Sequence, residues 1–366
     1  MREYVLTLLV AAATTYLLVG LAGRVAYAVG AVPPSRDRDV HREPVPRLGG
    51  TAMLGGMLAA MLVASYLPRM SAVFRESDDA RALLTAGVVI CAVGVADDIW
   101  GLSALTKFAG QLLAAGLLVV QGVQLIWLPL PSGPLVLDPV QGSLLTVFLV
   151  VATINAVNFV DGLDGLAAGV VGIGALAFFS YAYLLTVEQG VSRLTTPAMV
   201  TVILAGMCLG FLPHNVNPAR IFMGDSGSML IGLLLAAGSI TLTGKFDSQV
   251  VGDASVLPAL LPLVLPVAVI AVPFTDLLLA VTRRTRAGRS PFAPDKQHLH
   301  HRLLEIGHSH RRAVLVMWVW TALVAFGVVV VALVGGWQSV AGVSAVLVLT
   351  VLLTLGRPRG LLGRAA

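Results

Sequence analysis

Eleven apolar runs, each about the length of a bilayer crossing, constrain this chain more than any single motif does. They lie near residues 4–23, 49–68, 82–96, 104–121, 142–157, 165–186, 197–213, 226–244, 258–281, 313–334 and 338–355. In lipid, such a run satisfies its peptide groups only as a helix or in a closed barrel, and barrel strands would show as alternating segments of about ten residues. The predicted fold is therefore all-α: a polytopic integral membrane protein with about eleven transmembrane helices. Composition agrees, with 57% hydrophobic residues, 12% charged residues and a mean hydropathy of +0.90. No soluble class is that apolar. The first run is too long for a signal-peptide core and reads as a retained helix. The two cysteines, Cys91 and Cys208, sit inside apolar runs and offer no disulfide framework or Cys-rich metal site.

Loop charge sets the expected orientation, because Lys and Arg stay on the cytoplasmic side. One set of loops and ends carries eighteen of the 24 Lys and Arg residues and the other carries six, Arg2, Arg69, Arg75, Arg81, Arg193 and Lys245. The N-terminus is thus expected outside and the C-terminus in the cytoplasm. No internal repeat and no separate soluble domain shows, so residues 1–366 read as one membrane domain. Its cytoplasmic loops are expected at 24–48, 97–103, 158–164, 214–225 and 282–312.

Those loops hold the chemistry. In NAVNFVDGLDGLAAG, Asn155, Asn158, Asp161 and Asp164 recur every three residues, so a helix there would turn all four toward one cleft. Ionisable groups at a membrane helix end mark a substrate or ion path; the structural alternative is a polar interfacial turn at Gly162 and Gly165. In GVADDIWGL, the adjacent Asp97 and Asp98 repel unless they share a cation or a proton. Lys107 and Gln111 lie four apart in the next run, where a buried ammonium needs an anion such as phosphate. A snorkelling Lys107 and a helix-capping Asp97 are the plainer alternative.

In NVNPARIFMGDSGS, Asp225 stands between glycines directly before a span. Gly224, Gly227 and Ser228 allow a tight turn with free backbone N–H groups, which attract phosphate at a helix start. Asp225 would supply an oxygen suited to Mg²⁺, or merely cap its helix. The polar stretch from Thr282 to Arg312 holds His298, His300 and His301. Zinc is the rival reading there, but no Cys or second His cluster accompanies them, which favours hydrogen bonding to a phosphorylated or sugar substrate. Arg36, Arg38, His41, Arg42 and Arg47 form a basic patch that could meet anionic headgroups or a lipid phosphate.

Taken together, HREPVPRLGG, ADDIWGLSALTKFAGQ, NAVNFVDGLDGLAAG, NPARIFMGDSGS and DKQHLHHRLL resemble, in order, the motifs of the polyprenyl-phosphate N-acetylhexosamine-1-phosphate transferase family. The resemblance spans nearly the whole chain. The run His298-x-His300-His301-Arg302 is similar to the bacterial branch that uses UDP-N-acetylglucosamine, not the branch that uses the MurNAc-pentapeptide nucleotide. Lys296, where Arg is more usual, and the spelling before His41 depart from the pattern.

The resemblance implies transfer of sugar 1-phosphate from a uridine nucleotide to a polyprenyl phosphate, releasing UMP, with Mg²⁺ or Mn²⁺. It also implies that Asp225 and Asn158 hold the metal and that Asp97, Asp98 and Asp161 are the catalytic acids. Asp97 or Asp98 would deprotonate or orient the lipid phosphate. Lys107 would contact the diphosphate and Asp164 the uridine side, with His41, Asn215, His298, His300, His301 and Arg302 also binding substrate. The expected partners are UDP-N-acetylglucosamine, polyprenyl phosphate, membrane lipids and a second copy in a homodimer, with no nucleic acid.

Two rivals come from other families. An ion-coupled transporter would bury its charges near mid-membrane between related halves, whereas these acids cluster at one face. A CDP-alcohol phosphotransferase would place an Ala-Arg pair soon after Asp-Gly, which the residues after Asp161 and Asp164 do not supply.

Overall fold

The computed structural model describes residues 1–32, 44–130, 133–189, 194–245 and 309–355, with scattered positions between 260 and 286. The helices are α1 (Arg2–Val29), α2 (Gly49–Tyr66), the short α3 (Ser71–Glu76), α4 (Asp79–Trp100) and α5 (Ala104–Val120). After a hairpin come α6 (Pro139–Val160), α7 (Leu166–Gln189), α8 (Thr195–Asn215) and α9 (Gly224–Lys245). The last two are α10 (His310–Val334) and α11 (Gly336–Leu355). Among the described residues nine helices are long and apolar enough to cross a membrane. The expected span at 104–121 forms α5, a shorter apolar helix of 17 residues. The expected span at 258–281 lies largely outside the described residues.

Two features depart from the all-α expectation and its boundaries. Strands β1 (Trp127–Leu130) and β2 (Gly133–Val136) form a small antiparallel hairpin between α5 and α6. Most of the long helices also run further than the apolar runs suggested. Polar residues do not stop a helix; a residue able to turn left-handed does. So α4 continues through Asp97 and Asp98 to Gly101, at φ 67°, whose N–H donates to the Asp97 carbonyl. Both aspartates therefore ride the last turn of a helix and are not in a loop. At the start of α6, Asp138 accepts from the N–H groups of Val140 and Gln141 with Pro139 in the first turn, which defines that end sharply.

Helices α8 and α9 form the centre of the bundle, and α9 is packed by α2, α4, α6 and α8. Its first turn is wedged between α2 and α4 at backbone contact. A Cβ at Gly50 would collide with the backbone of Ser226 and Gly227, and one at Gly94 with that of Asp225 and Ser226. Small residues permit such approach between helices that lipid cannot push together. A backbone clip adds to it, with Phe222 N–H on the Pro46 carbonyl (2.8 Å), Gly49 N–H on Phe222 (3.1 Å) and Gly50 N–H on Met223 (3.0 Å). By contrast α11 rests on α10 and exposes Trp337, Leu349 and Leu353, as a lipid-facing helix can. The ends of α4 and α6 and the starts of α5 and α9 consequently meet at one end of the bundle.

Candidate active site

Lys107 is the hub of that end. Ser103 caps α5 by accepting from Thr106 N–H (3.2 Å), which sets Lys107 in the first turn of the helix. Its Nζ donates to Asp97 Oδ2 at 2.9 Å and to Asp225 Oδ2 at 2.7 Å. The side chains of Lys107, Asp97 and Asp225 are 28%, 13% and 24% exposed, so the ion pairs are partly shielded yet reachable. Asp97 is held from its other side by Leu102 N–H on Oδ1 (2.8 Å). Across the site, Asn158 donates to Ser228 Oγ (2.9 Å) and reaches Asp225. One turn deeper, Asn155 Nδ2 donates to Gln111 Oε1 (2.7 Å), which ties α5 to α6 directly beneath Lys107 and Asn158.

The adjacent aspartates point to different partners. Asp98 Oδ1 accepts from Asp225 N–H (2.9 Å) and Oδ2 from Ser226 N–H (3.1 Å). Gly224 there has φ 70°, and a Cβ on it would run into the Asp98 carboxylate. The expectation of N–H groups left open for phosphate at this helix start is thus corrected, because Asp98 already fills that position. Asp225 does not cap its own helix.

The expected single row of Asn155, Asn158, Asp161 and Asp164 also breaks. Helix α6 ends at Val160, with Asp161 as its C-terminal cap, so helical spacing does not extend to Asp164. Asp161 is half-buried at the edge of the Lys107 site. Burial, then the carboxylates of Asp225 and Asp98, pushes its carboxyl up to about 7, against the pull of Arg47. A carboxyl titrating near neutrality can exchange a proton with substrate. Asp164 instead serves the turn before α9, where its Oδ2 accepts from Asn217 Nδ2 (2.9 Å) and Ala219 N–H (3.1 Å). Asn215 is buried, accepting from Gly165 N–H (2.9 Å) and donating to the Ile221 carbonyl (3.0 Å). Asp164 and Asn215 thereby hold the two turns together at the rim.

His41, His298, His300, His301 and Arg302 lie outside the described residues. Three residues that sequence reasoning did not single out as binding groups join the network. Ser228, noted only for its turn, meets Asn158; Asn217 meets Asp164; and Arg311 Nε donates to the Asn217 carbonyl (2.6 Å), pinning the start of α10 to the site. Nothing local marked Arg311, since its partner lies 94 residues away.

The donor set suits a hard cation. Two carboxylates offer oxygen around one ammonium, which leaves the group negative, while Asn158 turns its amide nitrogen toward Ser228 and Asp225. Among the described residues no three His, Cys, Asp or Glu side chains gather closely enough to hold a metal alone. Mg²⁺ takes one or two carboxylates and draws its remaining ligands from phosphate and water.

Comparison with known proteins bears on this geometry. The family described as glycosyl transferase family 4 matches residues 80–243, which run from α4 to α9. The decaprenyl-phosphate N-acetylglucosaminephosphotransferase of Mycobacterium leprae is 50% identical over 331 residues, 89% of this chain and 83% of that one. The probable undecaprenyl-phosphate N-acetylglucosaminyl 1-phosphate transferase of Bacillus subtilis is 30% identical over 324 residues, 87% and 82% of the two chains. The undecaprenyl-phosphate alpha-N-acetylglucosaminyl 1-phosphate transferase of Salmonella typhi is 32% identical over 319 residues, 85% and 79%. Likeness of that extent reaches well beyond the five motifs, and the chain belongs to the polyprenyl-phosphate N-acetylhexosamine-1-phosphate transferases of glycosyl transferase family 4.

Proposed function

We propose that the protein transfers N-acetylglucosamine 1-phosphate from UDP-N-acetylglucosamine to a polyprenyl phosphate and releases UMP, as the first membrane step in building a cell-envelope polysaccharide. The observation that carries this reading is the Asp97–Lys107–Asp225 cluster at one end of an apolar bundle, in a chain half identical to an enzyme named for that transfer. In the reaction an oxygen of the lipid phosphate bonds to the phosphorus that bears the sugar. The bond from that phosphorus to the bridging oxygen of UMP breaks, and UMP leaves with the electron pair.

Each residue then has a task. Lys107, held between two carboxylates, faces the diphosphate as a fixed positive charge and needs no reorganisation when charge builds there. Asp225 and Asn158, with Asp97, would hold Mg²⁺. Bound there, the ion would offset the repulsion between two polyanions and draw charge from the transferring phosphoryl oxygens. Asp97 orients Lys107, and Asp161 can accept the proton of a lipid phosphate monoanion. Asp164 and Asn215 fix the rim against which the uridine side would rest, and His41, His298, His300, His301 and Arg302 would complete the substrate contacts. A homodimer in the cytoplasmic membrane is the form we expect.

The direct assay is purified protein with a polyprenyl phosphate and Mg²⁺, following UMP release. UDP-N-acetylglucosamine should be turned over and UDP-MurNAc-pentapeptide should not. Equal turnover of both nucleotides would overturn the substrate assignment and leave the family in place.

The orientation follows from loop charge, with the N-terminus outside and the site facing the cytoplasm. A cysteine substituted at Ser290 should stay unmodified by an impermeant thiol reagent in intact cells and react once the membrane is opened. Labelling in intact cells would reverse the topology.

A further inference from the structure

We propose that Asp98 is a positioning residue: its carboxylate caps α9 from α4 and so fixes Asp225 in the site, leaving Asp97 as the member of the pair that works on the reacting groups. The inference deepens the phosphotransfer reading and rests on it for the role of Asp225. Three observations carry it. Both Asp98 oxygens are taken by backbone N–H groups, those of Asp225 and Ser226, so neither is turned toward Lys107. Asp97, one residue earlier, spends Oδ2 on Lys107 Nζ. Finally, the fit of α9 against α4 is close enough to need it, because Gly94, one turn before Asp98, meets the backbone of Asp225 and Ser226 with no room for a Cβ.

A helix start leaves N–H groups unpaired and carries partial positive charge, so it attracts an anion. Here the expected acceptor, a side chain just ahead of the helix, is absent; the preceding residue is Met223, and Gly224 takes the positive φ that the sharp entry requires. A carboxylate reaching in from α4 supplies the missing acceptor. It simultaneously fixes where residue 225 leaves the backbone, and therefore where its carboxylate points. Asp98 thus occupies two N–H groups that an anion would otherwise find at this helix start.

A capping role and a proton-accepting role separate on substitution. Asp98→Asn keeps one carbonyl oxygen for one of the two N–H groups, whereas Asp98→Ala keeps none. If Asp98 positions, kcat should fall by about fivefold for Asn and about thirtyfold for Ala, with KM for the nucleotide nearly unchanged. As a base it would lose activity equally in both, since neither amide nor methyl accepts a proton from phosphate. Amide hydrogen exchange of the segment 222–230, measured without substrate or metal, gives a second readout that does not depend on the reaction. Protection should fall in the order wild type, Asn, Ala, and remain at the wild-type level in Asp97→Asn. Should the Ala variant fail to fold while Asn folds, that order is the one a cap predicts. Equal loss of kcat in Asn and Ala, with exchange at 222–230 unchanged in both, would overturn the proposal. If the exchange order holds but UDP-N-acetylglucosamine is not a substrate, the cap stands and the functional reading fails.

Discussion

Replacing Asp225 by Asn is expected to leave a folded, membrane-inserted protein whose turnover falls about a hundredfold. The fold should survive because the N–H of residue 225 still donates to Asp98 Oδ1, and an amide matches the carboxylate in volume. What is lost is charge. Asp225 Oδ2 now faces Lys107 Nζ at 2.7 Å beside Asp97, and Asn158 hydrogen-bonds its carboxylate, at the place proposed for the metal. Removing a charged ligand at such a point costs roughly 3 kcal/mol in the transition state, a factor of about a hundred in rate. If weakened metal binding is the main loss, raised Mg²⁺ or Mn²⁺ should restore part of the rate. UMP release across a Mg²⁺ titration decides the matter. Near-normal turnover of the variant at low, controlled Mg²⁺ would remove Asp225 from the metal site.

Lys107→Met should be comparably severe, for a different reason. Methionine is a straight-chain helix former of similar length, so α5 and its Ser103 cap should be retained. The substitution removes the charge that joins Asp97 Oδ2 to Asp225 Oδ2 and, on the proposed reading, the donor for the diphosphate. Hydrogen bonds to charged groups contribute about 1.5–3 kcal/mol each, so turnover should drop on the order of a hundredfold. The two carboxylates then lack a shared cation, and the Mg²⁺ concentration for half-maximal activity should fall, not rise. Lys107→Arg should recover little, because a planar guanidinium cannot reproduce a point charge shared between two oxygens. Wild-type rate in Lys107→Met, or an increased Mg²⁺ requirement, would show that Lys107 does not stand between these carboxylates in the working enzyme.

These variants turn on contacts of very different legibility. The membrane class, the helices and the polar motifs could be read directly, since hydropathy over about twenty residues is a local property that tertiary packing does not reverse in lipid. The acids of interest were equally visible, because a carboxylate at the end of an apolar run is costly unless it is used. Their partners were not. Lys107 and Asp225 are 118 residues apart, and Asp98 and the N–H of Asp225 are 127 apart; no spacing rule connects them. Spacing even misled at Asp164, where the three-residue interval continues past the end of α6 and a turn takes over the side chain's direction.

By itself, then, the sequence determined that this chain crosses a membrane many times and gathers acids, amides and a lysine at helix ends, because those are consequences of composition and period. Only the tertiary structure decided that Asp97 and Asp98, neighbours with the same chemistry, face different groups. On the last turn of α4 one side chain is directed toward α5 and the other toward the start of α9. Each carboxylate takes its role from whatever donor the packing of glycines brings within hydrogen-bond distance.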